Sequence, residues 1–369
     1  MNGNITCDLL PSLKLGNDDI QLFIEGDELF DAMIKAINNA QHQVLMETYI
    51  FADDEVGQLF VKALSEKAKS GVQVRLMVDA LGSLFQFHSS IGSELESAGV
   101  QVQHVQPWNW RKPLRYNRRD HRKLLVIDEE QAFLGGFNIH RQSSLRHYGK
   151  QRWRDTHTTF NGALARKSAD VFNGFWDGNR YQVFQTTTAT TALITNHTRR
   201  CRHHLACIYN DLIESAKQTI YLTTPYFIPN HRIQNALILA AMRGVNVSLL
   251  VPHNSDVRLA RWASNAVYAR LLDSGIKIFE YLPRMLHAKI IVVDQRYAML
   301  GTANLDYRSL FQNYELNLIS RDPDFCRQLD LQFRQDLGES KLVCSKYWKK
   351  RRWMSRLTEY LGWSIRHWL

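Results

Sequence analysis

Two kinds of hydrophobic pattern alternate along this chain. The segment from Phe30 to Phe51 predicts a helix followed by a strand, and the segment that begins at Tyr209 predicts the same pair. Gly71 and Gly244 each end a predicted helix and precede a run typical of a buried strand. Strands that alternate with helices favour an α/β fold with a mixed sheet in each half.

The same order of elements occurs twice, which indicates an internal duplication. The segment HRKLLVID, which begins at His121, corresponds to HAKIIVVD, which begins at His287. We therefore predict two α/β/α sandwich halves related by a pseudo-two-fold axis. The predicted units are a first half, a Thr-rich linker, a second half and a basic tail, over residues 1–185, 186–199, 200–340 and 341–369. About ten extra residues precede the first histidine, at about 107–120, and predict a loop near the site.

The duplicated segment carries a motif, H-x-K-x4-D-x6-G-x2-N, in both halves. Its members are His121, Lys123, Asp128, Gly135 and Asn138, and then His287, Lys289, Asp294, Gly301 and Asn304. A His and a Lys two residues apart on a strand point to the same face. A pseudo-two-fold axis would then bring both copies to one cleft.

Such a cleft suits phosphoryl chemistry. Two ammonium groups (Lys123, Lys289) and two amides (Asn138, Asn304) can bind the oxygens of a phosphoryl group. Two imidazoles can act as nucleophile and general acid. No ligand set is spaced for a metal, so we expect no metal or cofactor. The strand-end aspartates, Asp128 and Asp294, count among the candidate catalytic residues, although their position favours a turn anchor or an ion pair.

The net charge of +10 favours an anionic partner, either nucleic acid or membrane. Residues 340–369 contain eight Lys or Arg and one Glu, which accounts for +7. A second basic run, 111–123, surrounds the first histidine, His121. This position favours contact with a lipid headgroup, and nucleic acid remains an alternative partner.

The tail predicts an amphipathic helix that is rich in tryptophan. Its apolar stripe comprises Met354, Leu357, Leu361, Ile365 and Trp368. A basic, Trp-rich helix is typical of an interfacial membrane anchor. The candidate membrane-binding residues are Trp348, Arg351, Arg352, Trp353, Arg356, Trp363 and Trp368. The alternative is a helix docked on the protein's own core, because the pattern does not say what the apolar face contacts.

The remaining composition bears on location. Five scattered cysteines form no CxxC pair, which argues against a disulfide framework and is typical of a reducing compartment. No signal peptide is visible at the start. The longest apolar run, Ala236–Met242, is too short to span a bilayer.

Through the two motifs above, the chain resembles the phospholipase D superfamily, whose HKD motifs have the same residues at the same spacing. Within it, the chain is most similar to bacterial cardiolipin synthases of the short type, which lack N-terminal transmembrane helices. The phrases ETYIF, GGFN and GTANLDYRS support this similarity, which runs from about Ile20 to Leu342.

The resemblance implies that one histidine attacks phosphatidylglycerol, giving a phosphatidyl-histidine that a second phosphatidylglycerol converts into cardiolipin. We take His121 as the nucleophile and His287 as the acid, although the near-symmetry of the two motifs leaves the reverse order as an alternative. The resemblance implies that Asp155 orients His121 and that Glu315 orients His287. It also implies a peripheral enzyme on the cytoplasmic face of the bacterial inner membrane, with no nucleic acid partner. The alternatives are a phosphodiesterase that hydrolyses phospholipid or nucleic acid, and a degenerate scaffold, against which two intact His-Lys pairs argue.

Overall fold

Two mixed β-sheets form the frame of the molecule. The structure, a computed structural model, describes residues 13, 19–108, 110, 111, 117–179, 190–196, 203–351 and 353–368. The first sheet has the order β1-β7-β6-β5-β2-β3-β4. Its strands are β1 Ile20–Phe23, β2 Gln43–Thr48, β3 Gln73–Asp79, β4 Gln101–Val105, β5 Leu124–Ile127, β6 Gln131–Gly135 and β7 His157–Asn161.

The second sheet repeats this arrangement. Its order is β15-β11-β10-β9-β12-β13-β14-β8. Its strands are β8 Thr191–Thr195, β9 Thr219–Thr223, β10 Asn246–Pro252, β11 Lys277–Tyr281, β12 Ile290–Val293, β13 Tyr297–Gly301, β14 Leu316–Ser320 and β15 Ser340–Leu342. Without β15, the two orders are identical when strands are matched from β4 and β11. The predicted duplication and fold class are therefore confirmed.

Helices cover the faces of both sheets. Those of the first half are α1 Gly26–Asn39, α2 Glu55–Lys69, α3 Ser89–Ser97, α4 Leu145–Tyr148 and α5 Ala163–Trp176. Those that follow are α6 His204–Ser215, α7 His231–Met242, α8 Arg258–Asp273, α9 Tyr307–Phe311, α10 Pro323–Gly338, α11 Ser345–Lys349 and α12 Trp353–Ser364. As predicted, Gly71 and Gly244 follow helix ends with positive φ, at 90° and 88°. Within the described ranges, no helix is both long and apolar enough to cross a membrane.

A shared core joins the two halves. One buried cluster combines Leu124 and Phe172 of the first half with Ile290 and Phe333 of the second. Separate clusters lie on the outer faces of the sheets, under α1–α3 and under α6–α8. The halves therefore pack through a continuous apolar layer, which fixes the position of one motif relative to the other.

The predicted linker is partly wrong. Thr191–Thr195 forms β8, which pairs with β14 at the edge of the second sheet. Its apolar residues Ala192, Leu193 and Ile194 are buried in the core. The Thr-rich composition that suggested a linker therefore belongs in part to a β-strand, in which threonine is a favoured residue. Residues 186–189 and 197–199 lie outside the described residues. The second half also extends beyond residue 340, because β15 pairs with β11.

The tail docks on the protein itself. Helix α12 packs along α8, and Trp363 lies against Ile228, Ala260 and Ala263. Trp348 packs on the outer core of the second half, with its ring 5.0 Å from that of Tyr268.

This packing departs from the predicted free membrane anchor. Arg351 lies over Trp348 and pairs with Glu359, with an N–O distance of 2.9 Å. Two candidate membrane residues, Trp348 and Trp363, therefore pack on the body of the protein, because the apolar surface of α8 gives the tail a partner within the fold, and Arg351 lies over Trp348. Arg352 and the side chains of Trp353, Arg356 and Trp368 lie outside the described residues.

Gly362 provides a test of this docking. A Cβ atom at residue 362 would lie 2.6 Å from the backbone nitrogen of Ala263. Gly362→Ala should therefore separate α12 from α8, although alanine favours an isolated helix by about 1 kcal/mol over glycine. We expect faster proteolysis of the tail in G362A, followed by mass spectrometry. Gly338→Ala is the matched control, because no atom lies within 4 Å of its Cβ position. Equal proteolysis of G362A and the wild type would contradict the docked arrangement.

Candidate active site

The two motif histidines lie at equivalent places, just before β5 and just before β12. The buried runs Leu124–Ile127 and Ile290–Val293 hold these strands in the middle of their sheets. The backbone nitrogen of His121 donates to the carbonyl oxygen of Tyr314 at 2.9 Å. The backbone nitrogen of His287 donates to the carbonyl oxygen of Arg154 at 2.7 Å. Each histidine is thus tied to the opposite half.

The orienting acids consequently cross between the halves. His121 Nδ1 lies 3.0 Å from Glu315 Oε2, and His287 Nδ1 lies 2.6 Å from Asp155 Oδ2. The pairing predicted from the resemblance, Asp155 with His121 and Glu315 with His287, is therefore wrong. Glu315 directly follows Tyr314 and Asp155 directly follows Arg154, so the crossed backbone bonds bring each acid to the histidine of the other half.

Both acids are held as carboxylates. Burial alone would raise the pKa of Glu315, but the His121 imidazole and the Lys123 ammonium more than offset it and leave the pKa lowered. Burial acts likewise on Asp155, where the charges of Lys289 and His287 lower the pKa to about 2. An ionised carboxylate facing Nδ1 favours a proton on that nitrogen and leaves Nε2 for chemistry. At His287 the Lys289 Nζ also lies 2.7 Å from Nδ1.

Local packing explains the residue that follows the motif glycine in each half. Gly136 faces Asp155, and a Cβ at residue 136 would lie 2.0 Å from Asp155 Oδ1. The equivalent residue of the second half, Thr302, instead donates its hydroxyl to Glu315 Oε2 at 2.5 Å. Glycine makes room for the shorter acid's approach, whereas threonine secures the longer acid.

Both histidines and both motif asparagines line one cavity of about 360 Å³ between the halves. Other polar residues of its wall are Tyr49, Arg119, Trp153, Tyr226, Asp256, Asp306, Arg308 and Asn313. The predicted convergence of the two motifs on one cleft is therefore observed. The cavity combines nucleophilic nitrogens with amide and guanidinium donors, which suits an anionic ligand.

The two motif lysines lie behind the cavity wall. Lys123 Nζ donates to the carbonyl oxygen of His121 at 2.6 Å. Lys289 Nζ donates to the carbonyl oxygen of His287 and lies 3.5 Å from Asp155 Oδ2. Burial lowers the pKa of both lysines, that of Lys123 to about 7. Their charge acts beside the histidines, one layer from the cavity.

The strand-end aspartates are not part of this site. Asp128 accepts backbone hydrogen bonds from residues 41–43, and Asp294 accepts them from residues 217–219. They lie at the opposite ends of β5 and β12 from the histidines, which excludes them from the candidate catalytic residues. Their φ angles are 52° and 54°, so each closes a tight turn, as its strand-end position indicated.

Sequence reasoning missed the aromatic walls of the cavity. The ring of Tyr49 lies 4.9 Å from that of His121, and the ring of Trp153 lies 5.0 Å from that of His287. Tyr226 matches Ile50 of the first half, because the Thr48 and Thr224 hydroxyls donate to the carbonyl oxygens of these two residues. Both line the cavity, so the duplication carried a signal for this position but not for its aromatic ring.

The basic residues nearest to His121 in the chain are internal, whereas Arg111 at the start of the run is exposed. Arg119 pairs with Asp79 and Arg122 pairs with Glu47, with N–O distances of 3.4 and 2.5 Å. All four side chains are buried. Arg122 therefore stabilises the loop and does not face a headgroup, whereas Arg119 also reaches the cavity wall. Residues 112–116 lie outside the described residues.

Known proteins share both the sequence and the fold. A family model described as "Cardiolipin synthase, PLD-like domain" matches residues 33–176 and 209–337. A cardiolipin synthase of Clostridium perfringens is 34% identical over 93% of this chain and 75% of its own length. Cardiolipin synthase 2 of Bacillus cereus is 35% identical over 90% of this chain and 67% of its own length.

Solved structures show the same fold. Phosphatidylserine synthase of Haemophilus influenzae superposes with a TM-score of 0.73 at 15% identity and covers 97% of each chain. Polyphosphate kinase of Porphyromonas gingivalis superposes with a TM-score of 0.64 at 15% identity. The superposition covers 93% of this chain and 52% of the kinase chain. The family match and the two relatives above show that the chain belongs to the cardiolipin synthase family of the phospholipase D superfamily.

Proposed function

We propose that this enzyme transfers a phosphatidyl group between two phosphatidylglycerol molecules, giving cardiolipin and glycerol. The observation that carries the proposal is the pair of histidines facing one cavity, each with a carboxylate of the opposite half on its Nδ1. Two equivalent imidazoles suit a double displacement, in which the same pair makes and breaks a phosphorus–nitrogen bond.

In the first step, His121 Nε2 attacks phosphorus and the bond to the glycerol oxygen breaks. His287 gives its proton to that oxygen, so glycerol leaves as a neutral alcohol. In the second step, the now neutral His287 removes a proton from a hydroxyl of the second lipid. That oxygen attacks phosphorus, the phosphorus–nitrogen bond breaks, and both histidines return to their starting states.

The two histidines need different protonation states at the start. Burial and the Lys289 ammonium lower the pKa of His287 to about 3 in the free site, and burial lowers that of His121. The phosphodiester anion of the substrate raises the pKa of a nearby imidazole when it binds, because an anion near Nε2 stabilises the imidazolium. Substrate entry therefore favours protonation of one imidazole of the pair, which is His287 when His121 is the nucleophile, and the pair titrates as a coupled system.

The lysines supply a pH dependence. Burial lowers the pKa of Lys123 to about 7, so its ammonium is lost as the pH rises through that value. We expect kcat/KM for a short-chain phosphatidylglycerol to fall above about pH 7. The limb of kcat should lie at higher pH, because the bound phosphate stabilises the ammonium. Lys123→Arg keeps its charge at all these pH values and should remove this limb at a lower overall rate. An unchanged limb in K123R would show that another group titrates.

Product analysis tests the proposal as a whole. Purified enzyme is incubated with labelled phosphatidylglycerol vesicles, with and without EDTA, and the lipids are separated by thin-layer chromatography. We expect labelled cardiolipin and released glycerol in both samples. Phosphatidic acid as the only labelled product would mean that water is the acceptor, which is the phosphodiesterase alternative.

The proposed location is the surface of an anionic phospholipid membrane, on the cytoplasmic face of a bacterial inner membrane, with no nucleic acid partner. Cardiolipin synthase relatives support a lipid substrate. The docked tail leaves Tyr360 and Leu361 exposed on its outer side, where they remain accessible to lipid.

A further inference from the structure

A group of large apolar side chains is exposed in two loops of the first half. Phe85 is 85% exposed and Trp110 is 74% exposed. We define these two residues together with Leu81, Leu84 and Trp108, which are also exposed, as the aromatic rim. Scattered exposed apolar residues are ordinary, but neighbouring aromatic side chains on a surface mark an interaction site.

The aromatic rim lies at the edge of the sheet where the catalytic cavity opens. Its loops follow the carboxyl ends of the parallel strands β3 and β4, next to β2, whose own carboxyl end carries Tyr49 into the cavity wall. Leu81 itself lines the catalytic cavity. Leu84 and Trp108 together line an adjoining cavity of about 340 Å³. Leu81, Leu84 and Trp108 therefore connect the two loops to the mouth of the site, and Phe85 and Trp110 follow Leu84 and Trp108 closely along the chain.

The second half places exposed apolar residues on the other side of the same mouth. Val257 lines the catalytic cavity, and Leu259 follows it at the start of α8. Both side chains are partly exposed. The end of the tail is close by, with the ring of His367 4.3 Å from that of Tyr307, at the start of α9. Apolar surface therefore flanks the opening from both halves.

The size and lining of the cavity decide what this surface contacts. At about 360 Å³ the cavity lies near the small end of ligand pockets and is lined by charged and polar groups around the histidines. It suits a headgroup and phosphodiester, whereas the acyl chains of a diacyl lipid must remain outside the mouth. The surface they meet on leaving is apolar and aromatic.

The aromatic rim also has the chemistry of the bilayer interface. Tryptophan rings favour the level of the headgroups, where one edge is wet and the other apolar. The guanidinium of Arg111 lies over the ring of Trp110, at 5.1 Å from its centroid. A cation at this place favours an anionic lipid surface over a neutral one.

We propose that the aromatic rim inserts into the interfacial layer of an anionic phospholipid bilayer and holds the catalytic cavity at the level of the phosphodiester. The inference rests on the proposed function for its lipid substrate. It assigns the primary membrane contact to the first half, since Trp348 and Trp363 of the tail pack on the protein.

A pair of matched double variants tests this inference. Phe85→Ser with Trp110→Ser removes the two most exposed side chains of the aromatic rim, and neither belongs to the buried core. Leu239→Ser with Met242→Ser is the control, at 55% and 73% exposure. Helix α7 starts beside the site edge and runs back over 12 residues, so the control pair lies toward the opposite end of the sheet.

Binding is measured by sedimentation with vesicles of phosphatidylglycerol and phosphatidylcholine. Each protein is tested in low salt and in about 0.5 M salt, where the Debye length is roughly fivefold shorter. We expect the rim variant to lose about 30-fold or more in partitioning, chiefly the component that persists in high salt. The control variant should bind like the wild type. All three proteins should keep the same kcat/KM on a short-chain, monomeric phosphatidylglycerol, because the cavity is unchanged.

The outcomes separate this inference from the proposed function. Wild-type vesicle binding by the rim variant, or an equal loss in the control variant, would overturn the inference. A monomer-dimer shift in the rim variant without loss of vesicle binding would instead identify the aromatic rim as a contact between two copies, and would also overturn it. If vesicle binding is lost in the rim variant as expected but the wild type makes no cardiolipin, only the proposed function is contradicted.

Discussion

Replacing His121 with alanine is expected to remove nearly all turnover, and His287→Ala is expected to be similarly severe. His121 supplies the nitrogen that bonds to phosphorus, so its loss ends the covalent route. His287 supplies and recovers the proton, a contribution of roughly 10²- to 10⁴-fold. Rapid quench of enzyme mixed with labelled phosphatidylglycerol should trap label on the wild type and not on H121A. In H287A any trapped label should be hydrolysed or transferred slowly.

His253→Ala is the matched control for both variants. The His253 imidazole also has a carboxylate on its Nδ1, 2.9 Å from Glu280 Oε2, but it lies outside the cavity wall. H253A should turn over normally and acquire label normally. Label retained on H121A would assign the nucleophile to His287. Activity lost in EDTA and restored by a divalent cation would contradict catalysis by imidazoles and lysines alone.

The motif lysines should be nearly as sensitive as the histidines. Both ammonium groups donate to backbone carbonyl oxygens behind the cavity wall, so their charge acts through the field beside the histidines, and such electrostatic stabilisation is typically worth about 10²-fold or more. Lys123→Ala and Lys289→Ala should therefore each lower turnover by at least that factor. Lys289 also contacts Asp155, so K289A should change the titration of His287 as well as the rate.

The duplication made much of the fold predictable from sequence. Repeated helix and strand patterns identified matching elements in both halves, and the spacing of His121 and His287 within those elements placed them together. Fixed spacing could not separate roles within the motif, however. Asp128 is as regular as His121, yet it closes a turn at the other end of its strand.

Contacts between distant segments were not predictable in the same way. The partner of each acid depends on two backbone bonds that cross between the halves, at Tyr314 and Arg154, and local sequence carries no record of them. The tail shows the same limit. The predicted helix is present, but Leu361 of its predicted apolar stripe is exposed, whereas Trp363, which lies outside that stripe, packs against α8. The hydrophobic pattern alone did not identify the docked face.

Replacing Glu315 with glutamine is expected to lower turnover by about 10²- to 10⁴-fold. The amide keeps the volume of the side chain and can still accept from the Thr302 hydroxyl. It removes the negative charge and can donate an amide hydrogen bond to His121 Nδ1, which favours the tautomer with the imidazole proton on Nε2 and blocks attack of that nitrogen on phosphorus. The loss should fall on kcat more than on KM, with thermal unfolding close to that of the wild type. Glu280→Gln, beside His253, is the control and should leave turnover intact.

The crossed pairing gives this prediction a second readout that does not depend on turnover. Nitrogen-15 NMR of labelled histidine rings reports which ring nitrogen carries the proton. Glu315→Gln should change the resonances of His121 and leave those of His287 in place, whereas Asp155→Asn should do the reverse, because the acids reach the opposite halves. A change in the His287 resonances in E315Q would instead support pairing within each half, with Glu315 beside His287. If E315Q instead unfolds while its folded fraction retains full activity, Glu315 supports the fold and does not orient the histidine.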